Sequence, residues 1–270
     1  MTSAPPPQTD DLVAGPIRRL AALLDHQEPL WPADRLPPLG HWLFFLPDPR
    51  QSTLGPDGHP VGGAVPDGAG PRRMWAGGRV AFHADLPIGA RAVRTSIVES
   101  VERKAGRSGA LTFVSLRHEV HVGETLAITE HQDLVYREAA GAGGATPAPA
   151  PETRIAEASR TLEIDAPALF RYSALTFNAH RIHYDLPYAI GVEGYAGLVV
   201  HGPYQATLLI DHLLRTRPGA RITSFRHRGV RPLIAGPATL NLADEPGGSV
   251  ALWSSDAAGH ACMRATATLA

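Results

Sequence analysis

Apolar side chains recur along this chain with two different periods. From Leu111 to Val122 the even positions Thr112, Val114, Leu116, His118, Val120 and Val122 make a mostly apolar face at period two, which predicts a strand. Strands are expected across Gly78 to Glu138, with Gly106-Arg107-Ser108-Gly109 as a hairpin turn and Gly123 marking the next one. A helical period comes earlier: Gly15-Pro16 opens a segment that puts Ile17, Leu20, Ala21 and Leu24 on one face. Between Pro29 and Pro71 prolines and glycines break the chain around one apolar cluster, Trp42 to Leu46, read as core in preference to a lid. A loop of that length in a compact domain has a job, such as covering a pocket.

The second half repeats the scheme. Thr161 to Ile164 suits a strand, and Asp165 suits the cap of a helix over Ala166 to Ser173. From Pro203 to Arg215 the chain is apolar nearly all round, with Thr207, Asp211 and His212 the polar positions within Ala206 to Leu214. Such a helix belongs inside a protein. Strands are then expected at Arg221 to Val230, Ala238 to Ala243, Ser249 to Ser254 and His260 to Leu269. Leu86-Pro87-Ile88-Gly89 and Pro232-Leu233-Ile234-Ala235-Gly236 precede the late strands of each half, a weak internal repeat that suggests two related α+β units sharing a sheet or an interface. The expected division is a Pro-rich disordered tail at 1–11, a first unit at 12–138, a linker at 139–155 built largely from Ala, Gly, Pro and Thr, and a second unit at 156–270.

Composition changes the picture in one respect. With 25 Lys and Arg against 26 Asp and Glu, there is no electrostatic footprint for nucleic acid or an anionic membrane. No apolar run approaches the ~20 residues of a membrane span. The first residues lack the basic start and apolar stretch of a secretion signal, and a single Cys262 suits a reducing compartment, so a cytoplasmic location is expected.

The chemistry concentrates in Arg171 to Pro187, where Asn178, His180, His183 and Asp185 sit within eight residues, framed by Leu175, Phe177 and Ile182. Downstream, His201-Gly202-Pro203 opens the buried helix. Gly202 permits close backbone approach, and the free N–H groups at a helix start suit a developing oxyanion. Asn178 is a carboxamide and cannot take a proton at neutral pH. An imidazole titrates near neutrality, which suits proton transfer.

Ser173-Ala174-Leu175-Thr176-Phe177-Asn178-Ala179-His180-Arg181-Ile182-His183-Tyr184-Asp185 resembles the hydratase motif of MaoC-like, (R)-specific enoyl-CoA hydratases. In that motif Asn178 stands where the wider group has a catalytic Asp, His183 meets the catalytic His, and Asp185 meets a later Asp. The closer likeness is to the double-hotdog branch that holds mesaconyl-C4-CoA hydratase, itaconyl-CoA hydratase and the 3-hydroxyacyl-thioester dehydratases. Arg72-Arg73-Met74-Trp75-Ala76-Gly77-Gly78 adds support. The resemblance covers roughly residues 30–270. It implies an α+β double hotdog, antiparallel sheet wrapped around a central helix in two tandem units, and a homo-oligomer. The implied activity is reversible hydration of a short enoyl-CoA, with C4–C5 dicarboxylic thioesters favoured and no cofactor or metal.

Plainer readings stand beside these. His180 is a structural hydrogen-bonder before it is a metal ligand with His183 and Asp185. His118 and His121 face opposite sides of a strand, which spoils a metal pair. Arg226, Arg228 and Arg231 are either a solvated face or a cradle for CoA phosphates, with Arg228 and Arg231 carried as substrate-binding candidates beside His201. Arg72 and Arg73 either meet a substrate carboxylate or lie on the surface, and Asp185 either supports His183 or caps a turn. Three rival functions remain: dehydration of 3-hydroxyacyl thioesters on CoA or carrier protein, thioester hydrolysis, and non-catalytic acyl-CoA binding. Loss of enoyl-thioester absorbance without free thiol separates the hydratase from the last two.

Overall fold

The computed structural model describes residues 5–61, 72–106, 109–137 and 152–270. Its strands are β1 (Gln8–Asp11), β2 (Arg72–Phe82), β3 (Arg91–Gly106), β4 (Gly109–Val122), β5 (Thr125–Arg137), β6 (Ala158–Ile164), β7 (Ile222–Gly229), β8 (Gly236–Glu245), β9 (Ser249–Asp256) and β10 (Ala261–Leu269). The helices are α1 (Ala14–Leu23), α2 (Ala166–Thr176), α3 (Leu186–Gly191) and α4 (Gly202–Thr216). All ten strands join one antiparallel sheet in the order β1-β3-β4-β5-β2-β7-β10-β9-β8-β6. The order reads the same from either end when five is added to each strand of the first half. The two halves meet at β2 and β7, where Arg79 pairs with Arg226.

The alternation along β4 is realised: Thr112, Val114, His118 and Val120 are buried. The apolar rod is α4, with Tyr204 to Leu214 buried without a break. Its one buried carboxylate, Asp211, is satisfied by His26 Nε2 at 2.5 Å, Arg160 Nη2 at 2.6 Å and Arg215 Nε at 2.9 Å. These bonds tie α4 to the end of α1 and to β6, so a polar position on a buried helix becomes a fastening point. The Trp42 to Leu46 cluster is core, since Leu43, Phe44 and Phe45 are all buried.

The repeated motifs sit in equivalent places. Pro87 bridges Arg35 before β3, and Ile234 bridges Val199 before β8. Val199 leads into α4, whereas among the described residues Arg35 leads to two 3-10 turns, Gly40–Leu43 and Gln51–Thr53. At that turn Glu130 is fully enclosed, accepting from Trp42 Nε1 at 2.9 Å and Gln132 Nε2 at 2.8 Å, with His41 Nε2 2.9 Å away. Burial pushes its carboxyl up, but His41, His118 and Gln132 together outweigh this and hold it well below the usual carboxylate range.

Three expectations need comment. Gln8–Asp11, expected in the disordered tail, is instead a strand paired with Arg91–Arg94. Four polar residues show no apolar face, and this edge strand is held through its backbone. The linker falls mostly outside the described residues, but its end is fastened: Glu152 accepts from Arg264 at 2.7 Å, and Arg154 pairs with Glu245 at 3.1 Å. Residues 107 and 108 of the expected hairpin turn lie outside the described residues, although Gly106 and Gly109 pair across it.

Candidate active site

Asp165 caps α2 by accepting from Ala168 N at 2.9 Å, as its position suggested. The helix ends at Phe177, whose φ of 49° is left-handed and strained for an aromatic residue. That turn throws Asn178 to Asp185 back across the start of α4. The Asn178 side-chain oxygen accepts from His180 N at 2.9 Å, so its carbonyl is occupied within the loop and its Nδ2 hydrogens are the end left for a ligand.

His183 is buried, and its Nδ1 lies 2.7 Å from the Val199 carbonyl oxygen. A carbonyl only accepts, so Nδ1 carries the hydrogen and Nε2 carries the lone pair. Burial lowers its pKa to about 4, against partial compensation by the Val199 bond, so the ring is a neutral base at pH 7. The His201 ring stacks on it, centroids 3.6 Å apart. His201 is itself the residue before Gly202 and is anchored by Ser173 Oγ, 2.8 Å from its Nε2. One stack therefore links His183 to the start of α4. His180 meets His183 edge-on at 5.4 Å, and burial followed by its histidine neighbours holds its pKa at about 3.

Gly202 has a cause the sequence did not reveal. A Cβ there would lie 2.4 Å from Trp75 Cε3, so the indole of β2 fills the space a side chain would need. Trp75 stacks in turn on His227, centroids 4.4 Å apart. The close approach is thus to the protein's own tryptophan from the other half.

The remaining candidates divide. Arg73 is exposed, and its charge is felt at His180. The Arg72 side chain lies outside the described residues. Asp185 does not touch His183; it accepts from Tyr188 N at 3.1 Å, capping α3, and from Arg181 Nη2 at 2.7 Å. Arg228 alternates with buried His227 along β7, so it points to the opposite face of the sheet. There it lines a cleft with Arg154, Arg226 and Arg264. Arg231 pairs with Asp256 at 3.2 Å. Neither arginine joins the His183 cluster.

Sequence reasoning missed one participant, the loop Gly55–His59. Its Asp57 and Pro56 carbonyls accept from Arg181 N at 2.9 Å and Arg181 Nη1 at 3.0 Å. Gly58 adopts φ +90°, and a Cβ there would collide with the Ala179 carbonyl at 1.9 Å. The loop brings His59 against His180, centroids 4.1 Å apart, with Asp57 Oδ2 3.0 Å from His59 Nδ1. Donor atoms of Asp57, His59 and His180 all lie within 4.8 Å of one another, the set among the described residues that could hold a metal. The Asp57-Gly58 turn signal was visible, but nothing in the sequence tied it to residues of the other half.

Residues 39–235 match the family model described as hydroxyacyl-thioester dehydratase type 2. The chain belongs to that family. Over 229 residues it is 46% identical to mesaconyl-C(4)-CoA hydratase of Chloroflexus aurantiacus, covering 83% of this chain and 80% of that one. It is 28% identical over 239 residues to the mitochondrial hydroxyacyl-thioester dehydratase type 2 of Schizosaccharomyces pombe, covering 77% and 79%. Among solved structures, a MaoC-like dehydratase from Phytophthora capsici superposes with a TM-score of 0.74 at 15% identity, covering 99% of this chain and 96% of that one. A Mycobacterium tuberculosis protein described as a double hotdog matches with a TM-score of 0.58 at 15% identity, covering 100% and 97%. The family member described here thus has the double-hotdog fold, with α4 as the central helix. Membership makes it a hydro-lyase of acyl thioesters. No helix among its described residues is long and apolar enough to cross a membrane.

Proposed function

We propose that this protein adds water reversibly across the C2–C3 double bond of a short enoyl-CoA, with a C4–C5 dicarboxylic thioester of the mesaconyl-C4-CoA type as substrate. The observation that carries the chemistry is the fixed tautomer of His183: Nδ1–H on Val199 leaves Nε2 as a base, beside the start of α4. The 46% identity to mesaconyl-C(4)-CoA hydratase supports the substrate class, and Arg73, whose charge is felt at His180, suits its distal carboxylate.

In this mechanism His183 Nε2 takes a proton from a water whose oxygen is steadied by Asn178 Nδ2. The oxygen bonds to C3, and the electron pair of the double bond moves toward the thioester. The oxygen that becomes negative is met by backbone N–H groups at Gly202 and Tyr204, where the helix dipole is positive. Loss of one such donor costs about 3 kcal/mol of barrier. Dehydration of a 3-hydroxyacyl thioester is the same path reversed, on CoA or carrier protein. Self-association belongs to the same proposal and is tested by sedimentation velocity.

The test is a panel of enoyl-CoAs followed by ultraviolet absorbance and by thiol release. Decay of the enoyl absorbance without free thiol is expected, fastest for the dicarboxylic thioesters. Thiol release would replace this reading with hydrolysis, and binding without turnover would replace it with a carrier role.

A further inference from the structure

Water addition moves two protons, one off the water and one onto C2. His183 can account for the first, while Asn178 has none to exchange. The Gly55–His59 loop, supplied by the other half of the chain, brings the only further imidazole–carboxylate pair into this cluster among the described residues.

Resting on the hydratase reading above, we propose that His59, oriented by Asp57, is the second acid–base group of this active site, the one that exchanges a proton with C2. The His59 backbone N–H donates to Asp57 Oδ1 at 3.0 Å, and Nδ1 faces Oδ2 at the same distance. Both contacts fix the ring, leaving Nε2 as the working nitrogen. The loop that carries it is clamped by Arg181 through Pro56 and Asp57, and Gly58 lies too close to Ala179 to admit a side chain. Such rigidity is what a proton donor needs and what a merely covering loop does not. Burial pushes the Asp57 carboxyl up, but its bonds to His59 outweigh this and hold it at about 2, so it stays an anion beside the ring.

The step balances. Water gives a proton to His183 Nε2 as its oxygen bonds to C3, and the π pair becomes an enolate. The enolate pair forms the C2–H bond with the Nε2 proton of a His59 imidazolium, while Nδ1–H remains on Asp57. His183 is left protonated, His59 neutral, and one proton returns from the first to the second through solvent. Among the described residues, the titratable groups that touch or act on His59 are Asp57 on its own loop and His180 and His183 from the catalytic loop.

The experiment compares the parent enzyme with His59→Gln and His59→Ala by enoyl-thioester absorbance, with circular dichroism confirming the fold. For His59→Gln, kcat is expected to fall about 100-fold, the usual share of one acid–base group, with KM within a few-fold. For His59→Ala, added imidazole should restore part of the lost kcat, which a structural role would not allow. An active parent with His59→Gln near normal, a loss confined to KM, or no imidazole rescue in a folded His59→Ala would overturn the proposal alone. Stoichiometric zinc bound by the parent and lost in Asp57→Ala would overturn it too, by making the trio a metal site. A parent that adds no water to any enoyl-CoA would refute the hydratase reading and this proposal with it.

Discussion

Gly202→Ala is a small change with a large expected effect. Its Cβ would stand 2.4 Å from Trp75 Cε3 and 2.9 Å from Cζ3. Ordinary contact requires the indole or the helix start to withdraw by about 1 Å. The indole has little freedom, being stacked on His227 at 4.4 Å and met edge-on by Trp42 at 5.8 Å. Overpacking of this kind costs about 1–3 kcal/mol, while alanine in place of a helical glycine returns at most about 1 kcal/mol. The balance is destabilising by about 1–2 kcal/mol, a fall of roughly 3–6 °C in Tm for a chain of this size. The cost to catalysis should be greater, because a misplacement of about 1 Å at the reacting groups lowers rates by about 100-fold. Thermal melting and enoyl-CoA progress curves measure both. Trp75→Phe in the same chain should recover part of each loss, since it removes the ring edge that collides. A Gly202→Ala enzyme as stable and as active as its parent would refute the placement of Trp75 against the helix start and the catalytic use of that start.

Other expectations are briefer. His183→Ala should abolish turnover with an unchanged circular dichroism spectrum; appreciable turnover in a folded variant would remove it as the base. With the His183 pKa at about 4, the acid limb of kcat/KM should lie near pH 4 rather than near the ordinary imidazole value of 6.5, as a rate profile would show. Burial likewise holds His180 at about 3 and His227 at about 4, so all three rings are neutral in the folded state. Their folded values are depressed. The stability they contribute is therefore whole above about pH 6.5 and is lost as pH falls toward 4; a urea midpoint unchanged between pH 7 and pH 5 would contradict this. Asp211→Ala strands His26 and two arginines and should cost about 3 kcal/mol, the low end for a broken buried pair because Arg160 and Arg215 still reach water.

What the sequence disclosed follows from how locally each feature is encoded. The all-round apolar stretch that became α4 and the period-two pattern of β4 are statements about neighbouring residues, and both are realised. The spacing of Asn178, His183 and His201-Gly202 is equally local. β1 left no trace, because an edge strand of Gln, Thr and two Asp pairs through its backbone and buries no apolar face. Asp185, two residues from His183, could support it or cap a turn; before Leu186-Pro187 there is a helix start to cap, and that is what it does. Arg228 failed for a reason of parity: on a strand its neighbour His227 faces Trp75 and it therefore cannot.

The asymmetry between the halves accounts for the part of the site that stayed hidden. Both halves bridge before their third strand, at Arg35–Pro87 and Val199–Ile234, but among the described residues only the second continues into a long central helix. In the first half the described residues of that stretch form two 3-10 turns, Gly40–Leu43 and Gln51–Thr53, the first held by the enclosed Glu130 and its three partners. The chain continues through Pro56 to His59 as a loop. A helix must present its side chains to its own sheet, whereas a loop is free to reach across the β2–β7 seam. The reach is visible in Arg181, whose backbone and guanidinium are both bound by the first half. The two halves thus bring different groups to one cluster, His183 from the half with the long helix and the Asp57–His59 pair from the other.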